Sequence, residues 1–277
     1  MGKGPGLFSD IGKKAKDLLT KEYTYDQKFT VTTTSPNGLA FITSGTKKGD
    51  LFAGDLKSEY KSGNVRTEVK VDTASKLWVT VVAENLTNGL TAGFSGALPD
   101  NKSGKADFTF VHEYIGLTGS IGLTANPKVE VTAAVGHDGK SVGGEITYDT
   151  ASGTFTRYNA GVGFTNADFS VAAHVVDKGD TYKTSVYHAV NPRTCVGVEI
   201  AHAKKAGQGR ENTFTAGLAH RLDSLTTVKG KLNNLGMVAG LVQHEWRPKS
   251  TVTISGEVDT KALDKSAKIG LGLALKP

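Results

Sequence analysis

The sequence is poor in several features that define common classes of protein. It has one cysteine, Cys195, in 277 residues, so neither an internal disulfide nor a four-thiolate zinc site can form. It has 7 prolines against 34 glycines, which excludes proline-rich linkers and collagen-like repeats. No run reaches the roughly 20 apolar residues of a membrane-spanning helix, and the N-terminus lacks the apolar core of a secretory signal.

These absences describe a chain that a hydropathy plot assigns to the soluble proteins. That assignment is not decisive, because a membrane-spanning β-barrel alternates lipid-facing and lumen-facing residues and its mean hydropathy stays near zero. The frequent glycines and threonines favour strands joined by tight turns.

One segment, from Leu7 to Thr20, has the periodicity of a helix. Apolar residues recur there at spacings of three and four, and charged residues occupy the other side. The apolar positions are Leu7, Ile11, Ala15, Leu18 and Leu19, and the basic positions are Lys13, Lys14 and Lys16. Glycines and a proline between Gly2 and Gly6 precede the segment, which predicts an amphipathic helix on a flexible hinge.

From Tyr23 to the end of the chain, the hydrophobic period changes from 3.6 to 2. Val252, Ile254 and Val258, for example, alternate with threonine, serine and glutamate. Each such run reads as a strand with one apolar and one polar or small face. About 18 turn signals, such as Asn88-Gly89 and Asp138-Gly139, separate the runs and predict about 19 strands.

A meander of about 19 strands without covering helices is expected to close into a barrel, because closure removes the exposed strand edges. Strands about 4.8 Å apart and tilted by about 40° give a diameter near 38 Å, too wide for side chains to fill. A wet lumen places the apolar face outward against lipid. The alternative is a soluble β-barrel that binds a hydrophobic ligand, with its apolar residues inside.

The polar face of this alternation supplies candidate residues for the lumen. Arg66, Glu68 and Lys70 alternate with valines and are candidate lumen-lining charges. Several aromatic residues lie near predicted strand ends, where membrane barrels carry interfacial aromatic girdles and where ordinary strand packing is the other interpretation. They are Tyr23, Tyr25, Phe52, Tyr60, Trp78 and Trp246.

Patterns typical of enzymes are weak in this sequence. Residues 139–143 match the nucleophile-elbow pattern, but they lie on a predicted hairpin turn with no helix behind it. The seven histidines are scattered without the spacing of metal ligands. We therefore predict a protein that is not an enzyme and that uses no metal and no organic cofactor.

Two segments carry a resemblance to a known family. Residues 4–19 read GPGLFSDIGKKAKDLL, and residues 268–273 read KIGLGL. Together with the strands between them, they resemble the eukaryotic mitochondrial porins, the voltage-dependent anion channels, and especially the plant members. The family has 19 strands, so the number of turn signals agrees with a known case and is not an independent result.

The resemblance implies a fold, a location and partners. The implied fold is an all-β transmembrane barrel of residues 23–277, closed by one parallel strand pair, with a lumenal helix in residues 1–22. The parallel pair is expected between Lys28 to Thr34 and Ile269 to Leu275. The implied location is the mitochondrial outer membrane, with an additional plastid location left open. The expected partners are membrane lipid, permeating anions and nucleotides, cytosolic kinases and further copies of this chain, with no nucleic acid as a specific ligand.

Few functional residues carry over from the family. The helix lysines Lys13, Lys14 and Lys16 are expected to contribute to anion preference and nucleotide contact. Animal members have a Gly-Leu-Lys triplet linked to nucleotide binding, but the matching place here reads Gly89-Leu90-Thr91. The lipid-facing glutamate of animal members aligns with Glu68, which the local alternation places on the polar face instead.

These expectations combine into one functional hypothesis. The net charge of +6 and a water-filled lumen predict a weakly anion-selective pore, with the charged helix as its gating element. Such a pore passes small hydrophilic metabolites and ions. The second alternative is a membrane docking scaffold in which the pore is incidental.

Overall fold

The computed structural model describes residues 4–100, 102–205, 209–262 and 267–276. Within these ranges no helix is long and apolar enough to cross a membrane. A short 3-10 helix, Phe8–Asp10, and one α-helix, α1 (Lys13–Thr20), come first, and a second 3-10 helix spans Asp177–Gly179.

Nineteen strands follow α1. The first ten are β1 (Gln27–Thr34), β2 (Leu39–Lys48), β3 (Leu51–Ser62), β4 (Val65–Asp72), β5 (Leu77–Thr87), β6 (Leu90–Leu98), β7 (Lys105–Val111), β8 (Ile115–Gly122), β9 (Lys128–His137) and β10 (Lys140–Asp149). The others are β11 (Thr154–Thr165), β12 (Phe169–Val176), β13 (Thr181–Asn191), β14 (Thr194–Lys205), β15 (Gly209–Arg221), β16 (Thr226–Asn233), β17 (Met237–Arg247), β18 (Ser250–Asp259) and β19 (Lys268–Leu275).

The strands form a single closed sheet. Each strand pairs antiparallel with the next, as predicted for a meander. The barrel closes where β1 and β19 pair in parallel, from Gln27 opposite Leu271 to Val31 opposite Leu275. The predicted 19-stranded barrel and its parallel closure are confirmed.

The two faces of the sheet differ as the alternation predicts. On β10, Val142 and Ile146 point outward and are 54% and 47% exposed. The residues between them, Gly143 and Glu145, face the lumen, where Gly143 lies under Phe8. The same register continues around the barrel, so the exposed apolar surface is on the outside. Lipid is the solvent that favours such a surface.

Hairpin turns form the two ends of the barrel. We call rim 1 the end with the turns that follow odd-numbered strands, and rim 2 the end with the turns that follow even-numbered strands. The turns of rim 1 are short, for example residues 63–64 between β3 and β4 and residues 138–139 between β9 and β10.

The predicted helix from Leu7 to Thr20 is interrupted, which corrects the sequence interpretation. Gly12 separates the 3-10 helix from α1 and has φ 72°, in the left-handed region. A Cβ at Gly12 would lie 3.0 Å from the Cβ of Ala172 on the wall. A continuous helix cannot follow the curved inner wall at this distance, and glycine permits the bend at little conformational cost.

Candidate functional site

The N-terminal segment packs against the lumen wall through its apolar face. Ala15, Leu18 and Leu19 are buried, and α1 contacts β13, β14 and β15. The wall has glycine where the leucines approach it: a Cβ at Gly197 would lie 2.6 Å from Leu18 Cδ2, and one at Gly217 would lie 2.7 Å from Leu19 Cδ2. The wall is therefore shaped to receive the helix.

Before α1, an acidic side chain holds the 3-10 helix. The Asp10 carboxylate accepts a hydrogen bond of 3.0 Å from the backbone N–H of Leu7 and an ion pair of 2.9 Å from Lys13 Nζ. Burial pushes the pKa of Asp10 upward, but these two donors outweigh burial and hold it below its usual value. Asp10 is thus a stable anion that fixes the start of the segment.

After α1, residues 21–26 connect the helix to β1, and we call them the strap. Lys229 Nζ lies 2.7 Å from Glu22 Oε2, and Lys231 Nζ donates a 2.9 Å hydrogen bond to the carbonyl oxygen of Leu19. Lys231 Nζ also lies 4.2 Å from the centre of the Tyr23 ring. Ser255 Oγ donates to the carbonyl oxygen of Thr24. The strap is therefore held by two lysines of β16 and one serine of β18.

Burial in the lumen raises the pKa of Tyr23 to about 12. Its phenol therefore stays neutral at physiological pH. The phenol of Tyr25 is shifted in the same direction, first by burial and then by Glu257. The ring of Tyr25 lies 5.8 Å from Lys268 Nζ. The strap thus presents neutral aromatic rings to the ammonium groups of the wall.

The structure places the three helix lysines in different surroundings. Lys13 pairs with Asp10 at the start of α1. Lys14 Nζ donates to the carbonyl oxygens of Asn166 and Ala167, at 3.1 and 3.4 Å. Lys16 lines a cavity of about 460 Å³ between the helix and the wall, together with other charged residues. These residues are Glu130, Glu145, Lys183 and Glu199.

Arg66, Glu68 and Lys70 all lie on the lumen face, where Arg66 and Glu68 belong to one ion-pair network on β3, β4 and β5 and Lys70 forms a separate pair with Asp55. Lys57 Nζ lies 2.7 Å from Glu68, Arg66 lies 3.4 Å from Glu68, and Lys70 lies 3.5 Å from Asp55. In the described part of the chain, the network and this separate pair together contain four cations and four carboxylates. They are Lys57, Lys61, Arg66, Lys70, Asp55, Glu59, Glu68 and Glu84. The network adds no net charge to the lumen.

Sequence reasoning missed the cations that lie nearest to the strap. Lys229 and Lys231 both face the lumen from β16, separated by one residue. Their alternation with Val228 and Gly230 is the signal that would have found them. Lys28, Lys48 and Lys268 line a further cavity of about 650 Å³ beside Tyr23 and Tyr25, at the closing seam.

The aromatic residues divide between the two faces. Phe52 and Tyr60 are exposed on the outer face, and Trp246, at a register shift near the end of β17, is 46% exposed, as a girdle requires. Tyr23 and Tyr25 belong to the strap inside the lumen, and Trp78 lies opposite Lys70 on the lumen face. The girdle interpretation is therefore wrong for these three. Tyr23 and Tyr25 precede the first strand, so the strand period could not assign them a face.

The profile of the eukaryotic porin family matches residues 4–270. The chain belongs to the eukaryotic porin family. This porin is a pore-forming channel by family, which confirms the resemblance seen in its first helix and last strand. Channel function agrees with a barrel that has an apolar outside and a charged lumen.

Curated plant porins are similar to this porin over its whole length. The mitochondrial outer membrane protein porin of 36 kDa from Solanum tuberosum is 50% identical over 279 residues and covers 100% of both chains. The mitochondrial outer membrane protein porin 1 of Arabidopsis thaliana is 48% identical, again over 100% of both. These relatives confirm the predicted mitochondrial outer membrane location.

A third relative concerns the location that the sequence left open. The outer plastidial membrane protein porin of Pisum sativum is 50% identical over 279 residues and 100% of both chains. Among solved structures, a triple mutant of the Rhodopseudomonas blastica porin matches with a TM-score of 0.50 and 9% identity, over 84% of this chain and 90% of that chain. At this identity, the likeness concerns the porin barrel fold alone.

The closing strand of this porin offers a matched test of how the strap is held. A Cβ at Gly270 would overlap the carbonyl oxygen of Thr24, whereas one at Gly272 finds its nearest neighbour at 3.5 Å. Both glycines face the lumen from β19. We expect Gly270→Ala to displace the strap and raise the detached helix population at least about fivefold, because overpacking costs about 1–3 kcal/mol. Gly272→Ala should leave it unchanged.

The measurement is the mobile fraction in the electron paramagnetic resonance spectrum of a nitroxide at Thr20→Cys, in a Cys195→Ser background. Equal mobility in the two alanine variants would show that the strap is not held against Gly270.

Proposed function

We propose that this porin is a voltage-gated, weakly anion-selective diffusion pore. It passes small hydrophilic metabolites and ions, nucleotides among them. The observation that carries the proposal is the charged N-terminal segment. It runs along the inside of the wall from β8 to β19 and is held there partly by hydrogen bonds and an ion pair. In this proposal, the segment senses voltage because it is a charged element inside the pore that moves when the field changes.

The anion preference depends on lumen lysines other than those that are paired with carboxylates on β3, β4 and β5. Three glutamates line the cavity behind the helix together with Lys16 and Lys183, so the excess of cations lies at the closing seam, where Lys28, Lys48 and Lys268 line a cavity with one carboxylate, Asp26. Low-dielectric walls concentrate the field of these charges in the lumen. Because the lumen is wide and the Debye length is about 8 Å at physiological salt, the preference for anions should be slight.

Gating depends on the charge of the N-terminal segment and on the contacts that attach it to the wall. Moving one elementary charge through 100 mV yields about 2.3 kcal/mol, so a partial displacement of several lysines is enough to shift an equilibrium held by a few polar contacts. The predicted hinge begins at Gly2, and residues 1–3 lie outside the described part of the chain. Gly6 has φ 67°, a conformation suited to a sharp turn next to Leu7.

The test is the insertion of purified, detergent-refolded protein into a planar lipid bilayer. We expect stepwise conductance that falls at either polarity above a few tens of millivolts, about 50 mV by the same charge arithmetic. The reversal potential in a potassium chloride gradient should show a small preference for chloride. A chain that stays monodisperse without detergent and gives no steps would support the soluble binding-protein alternative.

The other expected partners stay predictions of the family resemblance. They are cytosolic kinases and further copies of this chain. The docking-scaffold alternative differs from the pore in one respect, since it requires kinase binding to survive variants that close the channel.

A further inference from the structure

Five of the seven histidines lie on the outer face at one end of the barrel. We call this group the histidine belt, and it consists of His112, His137, His188, His220 and His244. His137 is the last residue of β9, and His220 is one residue before the end of β15. Register places four of them on the outer face at rim 1, and His112, which follows β7, has its ring 6.2 Å from that of the outward-facing Phe110.

The other two histidines lie elsewhere. His202 lies on the outer face near the end of β14, at rim 2, where its Nδ1 contacts Asn212. His174 faces the lumen, where its ring is 6.1 Å from that of Phe8 beneath the N-terminal segment. The outer face therefore has five histidines at one end and one at the other, an asymmetry that the strand period does not require.

Two members of the belt are held by the same kind of hydrogen bond, between a ring nitrogen and a threonine hydroxyl. His220 Nδ1 lies 2.8 Å from Thr194 Oγ1, and His244 Nδ1 lies 3.0 Å from Thr226 Oγ1. In both cases the threonine is the directly paired residue on the adjacent strand. The threonine engages one ring nitrogen, which leaves Nε2 for a partner beyond the barrel.

The belt lies at the depth of lipid headgroups. Aromatic rings accompany it: His188 is 6.3 Å from Phe169, and His137 is 5.3 Å from Tyr114. Trp246 is exposed two residues beyond His244. Tryptophan and tyrosine concentrate at the interface between hydrocarbon and headgroups. The phosphate groups of phospholipids occupy the same level.

The fixed charges around the belt nearly cancel. Among the described residues of the neighbouring strand ends, turns and N-terminal segment, six are basic and five acidic. They are Lys14, Lys140, Arg193, Arg221, Arg247, Lys249, Glu113, Asp138, Asp168, Asp223 and Glu245. The carboxylates of Asp223 and Glu245 are already bonded to backbone N–H groups of Leu225, Thr226 and Lys249.

We propose that the histidine belt is a binding surface for the phosphate groups of anionic phospholipids and that this binding strengthens as the pH falls below neutrality. Imidazole is the side chain that ordinarily changes charge between pH 5 and 8. Because the surrounding charges nearly cancel, protonation of the belt would supply most of the positive charge of this rim. Each cation close to an anionic membrane surface adds favourable attraction to the headgroups.

The experiment compares two spin-labelled lipids at the surface of the refolded protein. The protein is placed in phosphatidylcholine bilayers that contain trace spin-labelled phosphatidylglycerol or spin-labelled phosphatidylcholine, at about pH 7.5 and pH 5.5. We expect the preference for phosphatidylglycerol to rise about threefold at the lower pH. Substitution of all five belt histidines by glutamine should abolish this rise, and His202→Gln should keep it.

A second variant covers the case in which five substitutions prevent refolding. His220→Gln combined with His244→Gln should reduce the rise by about a third or more, and pore conductance in the same samples reports correct folding. The proposal is overturned if the natural sequence shows no rise. It is also overturned if a folded belt variant shows the same rise, since another group would then bind the phosphate. Conductance is independent of this result, so failure of the belt does not bear on the pore.

Discussion

Deletion of residues 2–20 should abolish voltage-dependent closure and leave an open barrel. The helix carries Lys13, Lys14 and Lys16, and its removal takes away both the charge that senses the field and the body that obstructs the lumen. The buried leucines of α1 approach glycines of the wall through their side chains and are not part of the strand ladders. Removal of the helix should therefore leave the hydrogen bonds between β1 and β19 intact. We expect single channels that stay open at about ±50 mV.

A matched variant separates the effect of the helix charge from the effect of the helix volume in the lumen. Substitution of Lys13, Lys14 and Lys16 by glutamine keeps the apolar face that packs against β13, β14 and β15. This variant should still close, but with a shallower dependence on voltage, since each lost charge removes up to about 2.3 kcal/mol per 100 mV of coupling. Closure of the deleted protein at the same voltages as the full chain would remove the helix from the gating mechanism.

Reversal of three lumen lysines should invert ion selectivity. Lys16, Lys28 and Lys183 line lumen cavities and take no part in holding the strap. Their replacement by glutamate changes the charge by −2 at each of three positions, and the total of −6 cancels the net charge of +6. We expect the reversal potential in a potassium chloride gradient to change sign, from a preference for anions to a preference for cations.

Two controls accompany this prediction, one at high salt and one with lysines at other positions. The difference between the two proteins should shrink at about 1 M salt, where the Debye length falls to about 3 Å. The same change of −6 at Lys76, Lys102 and Lys140, which are exposed at turns or strand ends and line neither of these two cavities, should shift the reversal potential far less. An equal shift in both triple variants would mean that selectivity arises at the barrel mouths.

The wall of the barrel could be predicted from the sequence because each strand repeats one physical rule. Alternation fixes the face of the residues along β1 to β19 except at register shifts such as those after Thr147 and Glu245, and a shift of one residue would place the whole apolar set in water. The parallel closure followed from the odd number of strands and was found at Gln27 and Leu271. Local pattern and global fold agree throughout this part of the chain.

The site was less predictable because it depends on contacts between distant residues. Gly12 fitted the helical period, but the helix breaks there since the wall at Ala172 is too close for a side chain. Arg66, Glu68 and Lys70 lie on the predicted face, yet their ion pairs cancel their charge. Lys229 and Lys231 matter because they bind Glu22 and the carbonyl oxygen of Leu19. These residues are about 210 positions away, so no local sequence pattern predicts the contacts.

One measurement tests the orientation of the barrel wall most directly. Neighbouring residues Glu130 and Val131 are placed on opposite faces, with Glu130 lining the lumen cavity and Val131 38% exposed on the outside. In a Cys195→Ser background, Glu130→Cys should react with a charged, water-borne thiol reagent and lower the single-channel conductance. Val131→Cys, labelled with a fluorophore, should be quenched by brominated lipid chains. Quenching at residue 130 together with aqueous reactivity at residue 131 would contradict the account.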